Sequence, residues 1–259
     1  MSRFLASHGP CDSTNKVNKF LSVTTAVALS GAITLGSVPQ AQAATVGYVR
    51  KVTALGDSYP AGSMGNEGNS YVERYGRRTG QRPLNHARGG WRTTDVLYMF
   101  ASSPVTLRNV RDTRTVIITI GANDIAGSYR NPSGAANSVA AYQPALDKMR
   151  GNLNKVLWHV SKARGGANGR VVVTTYNNIY TDGSHLTAKG SSYARGSENL
   201  TRAVNSIILS SCARYKMACV DMYPAFNVSS VDSLVNYDGT HPSSKGHQLY
   251  ADKIYARVR

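Results

Sequence analysis

The chain has 259 residues, enough for one full-sized α/β core after a leader is set aside and too few for two such domains. It carries 30 Lys and Arg against 14 Asp and Glu, a net charge of +16, which points to anionic wall polymers or acidic lipid surfaces as partners. The arginines are scattered along the chain without an RRM, helix-turn-helix or zinc-finger pattern, so nucleic acid is not an expected partner.

The first segment reads as an export signal. Arg3, Lys16 and Lys19 form a basic start, Phe20 to Val38 runs apolar and small, and Ala41-Gln42-Ala43 has the A-x-A form of a cleavage site. The expectation is a signal peptide over 1–43, cleaved near Ala43, and a secreted domain over 44–259 with no integral membrane span. Cys11 leaves with the leader. Cys212 and Cys219 remain as an even pair in an exported chain, the setting in which a disulfide is expected.

The elements then follow in order. Val52 to Leu55 is predicted as a strand, Tyr71 to Thr79 as a basic helix, Pro83 to Ala87 as a weak strand and Thr94 to Ala101 as a helix. Thr115 to Ile120 is β-branched and apolar throughout, as in a strand buried on both faces. Gln143 to Lys162 has helical spacing, Val171 to Thr175 is another buried strand, and Tyr176 to Gly196 lacks periodicity and reads as a long loop. Ser197 to Ala213 is a helix, Met217 to Val220 a short strand and Ser244 to Val258 a closing helix. This βαβα alternation predicts a parallel sheet with helices on both faces, and such sheets work from the loops beyond the carboxyl ends of their strands.

Those ends carry candidate chemistry. Ser58 follows the first strand and Gly56, where a hydroxyl can serve as nucleophile if a base takes its proton. Asp238-Gly239-Thr240-His241-Pro242 places a carboxylate three residues before a histidine, so that Asp238 can hold Nδ1–H and leave Nε2 for the serine. The backbone N–H groups of Ser58 and Gly90 and the side-chain amide of Asn123 are candidate oxyanion donors. A short echo, Asp182 to Gly190 (DGSHLTAKG) against Asp238 to Gly246 (DGTHPSSKG), repeats the spacing with Asp182 and His185 and stands as a rival base pair. Asp57 and Asp124 are expected to hold their neighbouring loops, His86 and His159 to be structural, His247 to be solvated, and Tyr59 and Tyr129 to line a pocket.

Four blocks, ALGDSYPAG, NHARGG, TIGANDI and YDGTHPSSKGHQLYA, together resemble the GDSL or SGNH hydrolases, over Val52 to about Ala256. The resemblance implies a three-layer flavodoxin-like fold, the SGNH hydrolase fold, with a shallow open site. It implies a triad of Ser58, Asp238 and His241, an oxyanion hole of Ser58, Gly90 and Asn123, and neither metal nor organic cofactor. Trp91-Arg92 departs from the small or acidic residue and Thr common in the family, which leaves Gly89 beside Gly90 as the donor. The α/β-hydrolase elbow G-x-S-x-G is absent. The function expected is a secreted, monomeric esterase, lipase or deacetylase acting on a short acyl ester, a lipid or an acetylated glycan, with the Tyr176–Gly196 loop tipping the choice toward glycans. The alternative is a non-catalytic binder of anionic cell-wall polymers on the same fold.

Overall fold

Short β-branched runs, too apolar to face water, organise the molecule as a parallel sheet. The computed structural model describes residues 49–126 and 131–258; the expected leader over 1–43, its cleavage site, Cys11 and Tyr129 lie outside the described residues. The elements are β1 (Lys51–Gly56), α1 (Ser58–Ala61), α2 (Tyr71–Thr79), β2 (Arg82–Asn85), α3 (Thr93–Ser102), α4 (Pro104–Asp112), β3 (Thr115–Thr119), α5 (Ala122–Ile125), α6 (Gln143–Ala163), β4 (Val171–Thr174), α7 (Gly183–Ala188), α8 (Ser191–Arg214), β5 (Ala218–Val220), α9 (Tyr223–Phe226) and α10 (Ser244–Val258). The sheet order is β2-β1-β3-β4-β5, with every pairing parallel.

Right-handed crossovers distribute the helices. The step from β1 to β2 runs one way along the sheet and carries α2. The steps from β2 to β3, β4 and β5 run the other way and carry α3, α4, α6 and α8 on the opposite face. The closing helix α10 returns to pack against α2. Both faces of the sheet are thereby covered, and all five residues of β3 are buried. On α6 the inward stripe is Leu146, Met149, Leu153, Val156, Leu157 and Val160. Between α2 and α10, Tyr71 stacks on Tyr250 with ring centroids 4.9 Å apart.

Several boundaries differ from the sequence expectation. The second strand begins at Arg82 and ends at Asn85, ahead of the expected Pro83–Ala87. The helix α4 was not foreseen: only Thr106 and Val110 of it are buried, so it has almost no apolar periodicity to read. The expected Tyr176–Gly196 loop is largely structured. Tyr176 to Ile179 are buried, α7 follows, and α8 starts at Ser191, six residues early. Its first turns (SSYARG) are polar and pack across the turn at Pro132–Ala136, where no apolar stripe is needed. The glycan argument built on a free loop therefore loses its basis. Cys212, near the end of α8, lies beside Cys219 of β5 with Cα atoms 5.9 Å apart, and the structure pairs their sulfurs.

Candidate active site

The first strand ends in a tight corner. Gly56 has φ +146°, and a Cβ there would overlap the Thr119 carbonyl oxygen, so only glycine lets β1 turn this close to β3. The next residue, Asp57, donates its N–H to that carbonyl at 3.1 Å and caps α1 by accepting the Tyr59 N–H at 3.0 Å. This sets Ser58 as the first residue of α1, half-buried on the rim, with its own N–H unpaired among the described residues. Asp57 itself is fully buried, and its second carboxylate oxygen accepts from the Tyr176 hydroxyl. Burial pushes its carboxyl up to about 7, against the lowering pull of the Tyr176 and Tyr59 hydrogen bonds.

Facing it is the turn that carries the histidine. Asn236 and His241 close the turn through N–H···O=C at 2.7 Å, and Gly239 takes φ +70° inside it. One oxygen of Asp238 accepts the N–H groups of Thr240 and His241, each at 3.0 Å. The other meets His241 Nδ1, and His241 Nε2 lies 2.8 Å from Ser58 Oγ. Partial burial raises the Asp238 carboxyl, but the hydrogen bonds from the imidazole and the two N–H groups outweigh it, and the group lies below its ordinary range. Tyr59 is 2 % exposed, so it does not line a pocket as expected from sequence. Its helical position turns it inward, where its hydroxyl donates to the Thr240 carbonyl at 2.8 Å and its ring lies 5.6 Å from that of His241. Tyr59 ties the serine helix to the histidine turn.

The third side of the rim is built from the Gly89-Gly90 loop and α5. A Cβ on Gly89 would stand 3.9 Å from the Ser58 Cβ, and Gly90 adopts φ +79° in open space. Neither glycine N–H has a protein acceptor among the described residues. Asn123 Nδ2 donates to the Trp91 carbonyl at 2.9 Å, which fixes the amide and leaves its second N–H over. Asp124 accepts the Thr93 N–H at 2.9 Å and hydroxyl at 2.5 Å, locking α5 to the start of α3. Tyr176 completes the ring, because its hydroxyl also accepts the Ala122 N–H at 3.3 Å. Sequence reading placed Tyr176 at a strand end without assigning it this role; its position at the carboxyl end of β4 was the available signal.

The echo pair does not assemble a second site. Asp182 caps α7 by accepting the Gly183 N–H at 3.0 Å, and His185 is exposed. The Asp182 N–H donates to the Gly239 carbonyl at 2.7 Å, and a Cβ on Gly239 would overlap Thr181 and His185. The first DGxH turn thus buttresses the second from behind. His247 departs from expectation: it is 0 % exposed rather than solvated, because the first turn of α10 packs under α2. Its Nδ1 accepts the Tyr71 N–H at 3.3 Å, and burial, with Arg74 and His241 nearby, lowers its pKa to about 3. His86 meets the Asn109 amide at 3.0 Å, a structural contact. Among the described residues no group of His, Cys, Asp and Glu is arranged to hold a metal ion, and no helix is long and apolar enough to cross a membrane.

Comparison with known proteins gives the same frame. The profile of the GDSL-like lipase/acylhydrolase family matches residues 54–249. The chain is similar to phospholipase A1 from Streptomyces albidoflavus NA297 (23% identity, TM-score 0.60, 81% of this chain and 99% of that one). It is likewise similar to an extracellular lipase from Streptomyces rimosus (22% identity, TM-score 0.59, 81% and 100%). A lipase from a goat rumen metagenome superposes at 19% identity with TM-score 0.62, over 81% and 97% of the two chains. At these identities the structures speak to the fold. No curated protein sequence matches the chain.

Proposed function

The chain belongs to the GDSL-like lipase/acylhydrolase family, a carboxylic ester hydrolase in class, and on that premise we propose that Ser58 is its nucleophile, His241 its general base and Asp238 the group that orients the base. The observation that carries this reading is the 2.8 Å approach of His241 Nε2 to Ser58 Oγ while Asp238 holds Nδ1. With Nδ1 protonated toward Asp238, Nε2 has a lone pair for the serine proton. Oγ then bonds to the ester carbonyl carbon, and the carbonyl oxygen takes the negative charge. The free N–H groups of Ser58 and Gly90 and the spare N–H of Asn123 are the donors for that oxyanion. Collapse expels the alcohol, which leaves with the proton from His241; water repeats the cycle on the acyl-enzyme and releases the acid.

The site is an open rim rather than a tunnel: Gly89 and Gly90 are exposed, and Ser58, Asn123 and His241 are half-buried. Beside the histidine turn stand Tyr237, 73 % exposed, and Met64, whose sulfur lies 3.9 Å from the Tyr237 hydroxyl. An open rim with this apolar flank admits short acyl esters as well as esters carried on a lipid or glycan body. Hydrolysis of a p-nitrophenyl ester by the parent, Ser58→Ala and His241→Ala tests the assignment. Each variant is expected to lose about 10^4-fold or more in kcat, and near-parental turnover in either would refute it. Export with cleavage after Ala43 and a Cys212–Cys219 disulfide belong to the same reading. The intact mass of the exported protein checks both, since it should begin at Ala44 and resist thiol alkylation until reduced.

A further inference from the structure

The opposite end of the sheet holds an arrangement that ester hydrolysis does not use. Four parallel strands start at or directly after an arginine: Arg50 before β1, Arg82 in β2, Arg114 before β3 and Arg170 before β4. Backbone bonds set these starts side by side. Arg82 donates to the Arg50 carbonyl at 2.8 Å, Arg114 to the Lys51 carbonyl at 2.9 Å, and Val116 to the Arg170 carbonyl at 3.0 Å. Neighbouring strands lie about 4.8 Å apart, so the arginines form a row along the amino edge. Arg50, Arg114 and Arg170 join Arg78 in lining one cavity of about 230 Å³, walled by Tyr75, Tyr255 and Val258.

The four guanidinium groups are unequally engaged. Arg78 pairs with Asp252 and lies over the Tyr255 ring at 3.8 Å, and Arg170 donates to the Val258 carbonyl at 2.8 Å. Arg50 and Arg114 make no side-chain hydrogen bond or ion pair among the described residues. Arg164, also at this end, shows what a structural arginine looks like here, because its guanidinium donates to the carbonyls of Val110 and Thr113. Two anchored guanidinium groups beside two open ones line one concavity with N–H forks, the donor chemistry that suits a tetrahedral oxyanion.

We propose that this cavity seats a phosphate group, and that the arginine row holds the protein on a linear phosphate-bearing polymer. A row of cations fits repeated charges on a chain, and Arg82, opposite Lys51 in the sheet register, adds charge at the same edge outside the cavity. A bilayer fits less well: of the large exposed apolar side chains among the described residues only Val49 lies beside the row, while Tyr98, Val105, Trp158, Val228 and Tyr237 lie in other elements or loops. The strands, about 3.3 Å per residue, separate this edge from Ser58. A polymer held here leaves the Ser58 rim free.

Calorimetric titration of the purified protein with linear tripolyphosphate tests the proposal. The double variant Arg50→Gln/Arg114→Gln is expected to bind at least about tenfold more weakly than the parent. Lys148→Gln/Lys155→Gln, which removes the same charge from the exposed side of α6, should bind within about twofold of the parent. Both should melt as the parent does and hydrolyse p-nitrophenyl acetate at the parental rate. Equal weakening in the two double variants, no weakening in the arginine variant, or no binding by the parent would overturn the proposal. So would binding to phosphatidylglycerol vesicles without binding to tripolyphosphate, which would make the edge a membrane contact. A lost esterase activity with intact tripolyphosphate binding would count against the triad alone.

Discussion

The two edges of one sheet are built in opposite ways. At the carboxyl edge the side chains around Ser58 are tied to other loops, leaving only the oxyanion donors over: Asp57 to Tyr176, Tyr176 to Ala122, Asp124 to Thr93, Asn123 to Trp91, Tyr59 to Thr240. The acids there are buried or half-buried, and burial raises Asp57, Asp124 and Asp182 alike. At the amino edge the arginines are mostly exposed, and among the described residues the side chains of Arg50, Arg82 and Arg114 have no hydrogen-bond or ion-pair partner. The difference follows from the crossovers. Loops leaving the strands converge and must satisfy one another's backbone groups, whereas α2, α4 and α6 end their runs at the amino edge, where the partial negative charge of helix C-termini favours cations without a dedicated partner. A crowded edge fixes geometry for chemistry; an open one leaves charge available for a ligand.

The largest effect should come from changing the crowded edge at one atom. In Asp238→Asn the amide NH2 would face the imidazole, favouring the tautomer with hydrogen on Nε2, which cannot accept the Ser58 proton. By analogy with a serine protease triad, kcat should fall about 10^4-fold with little change in KM. His185→Ala, in the echo turn, should change kcat only a few-fold, as fits a buttress. The reverse pattern in steady-state kinetics would transfer the base to the other turn and break the reading of this edge.

A smaller effect tests the buried acid. The Asp57 carboxyl titrates at about 7 in the folded protein and near 3.9 when unfolded. Between those values the folded state holds a proton that the unfolded chain has released. The stability this group contributes is therefore full below about pH 4 and lost as pH rises through 7, a change on the order of 4 kcal/mol. Asp57→Asn still accepts the Tyr59 N–H but does not ionise, although the Tyr176 hydroxyl then lacks its acceptor at every pH. Urea unfolding at pH 4.5 and 7.5 should show the parent-minus-variant stability falling across the window. A difference that stays flat would mean Asp57 is charged in place, and the crowded edge would not be as dry as its burial indicates.

Much of this was legible in the sequence where one residue type has one physical outlet. TVIIT can only be a doubly covered strand, and an Asp and a His three apart in a DGxH turn are close enough to meet locally, as Asp238 and His241 do; the structure brings that pair to Ser58. What stayed hidden depends on packing between distant segments. Locally the Asp238 turn differs from the Asp182 turn by its His241-Pro242 step and its place before the closing helix; that the Asp182 turn backs it rather than competing with it depends on what each faces. His247 looked solvated because α10 shows its burial only against α2, and Tyr59 looked like a pocket wall because its partner, the Thr240 carbonyl, is 181 residues away. The arginines read as scattered for the same reason: RKV, RPL, RTV and RVV are far apart in the chain, and only the strand order gathers them into a row.

The smallest expected effect sharpens the open edge. The Arg114 side chain is exposed and has no partner among the described residues, with Arg50 and Arg170 for neighbours, so its removal takes away repulsion and no hydrogen bond. The single variant Arg114→Gln should therefore shift unfolding stability by no more than about 0.5 kcal/mol. Its sign should be stabilising at low salt, where like charges one strand apart repel, and the gain should vanish near 1 M salt, where screening acts within about 3 Å. Urea midpoints at the two salt concentrations read this directly. Adding tripolyphosphate should reverse the order, because a ligand that binds the folded state stabilises the protein that binds it more tightly, here the parent. A loss beyond 1 kcal/mol without ligand would instead mark Arg114 as part of the scaffold, and the amino edge would then be as internally committed as the edge that carries Ser58.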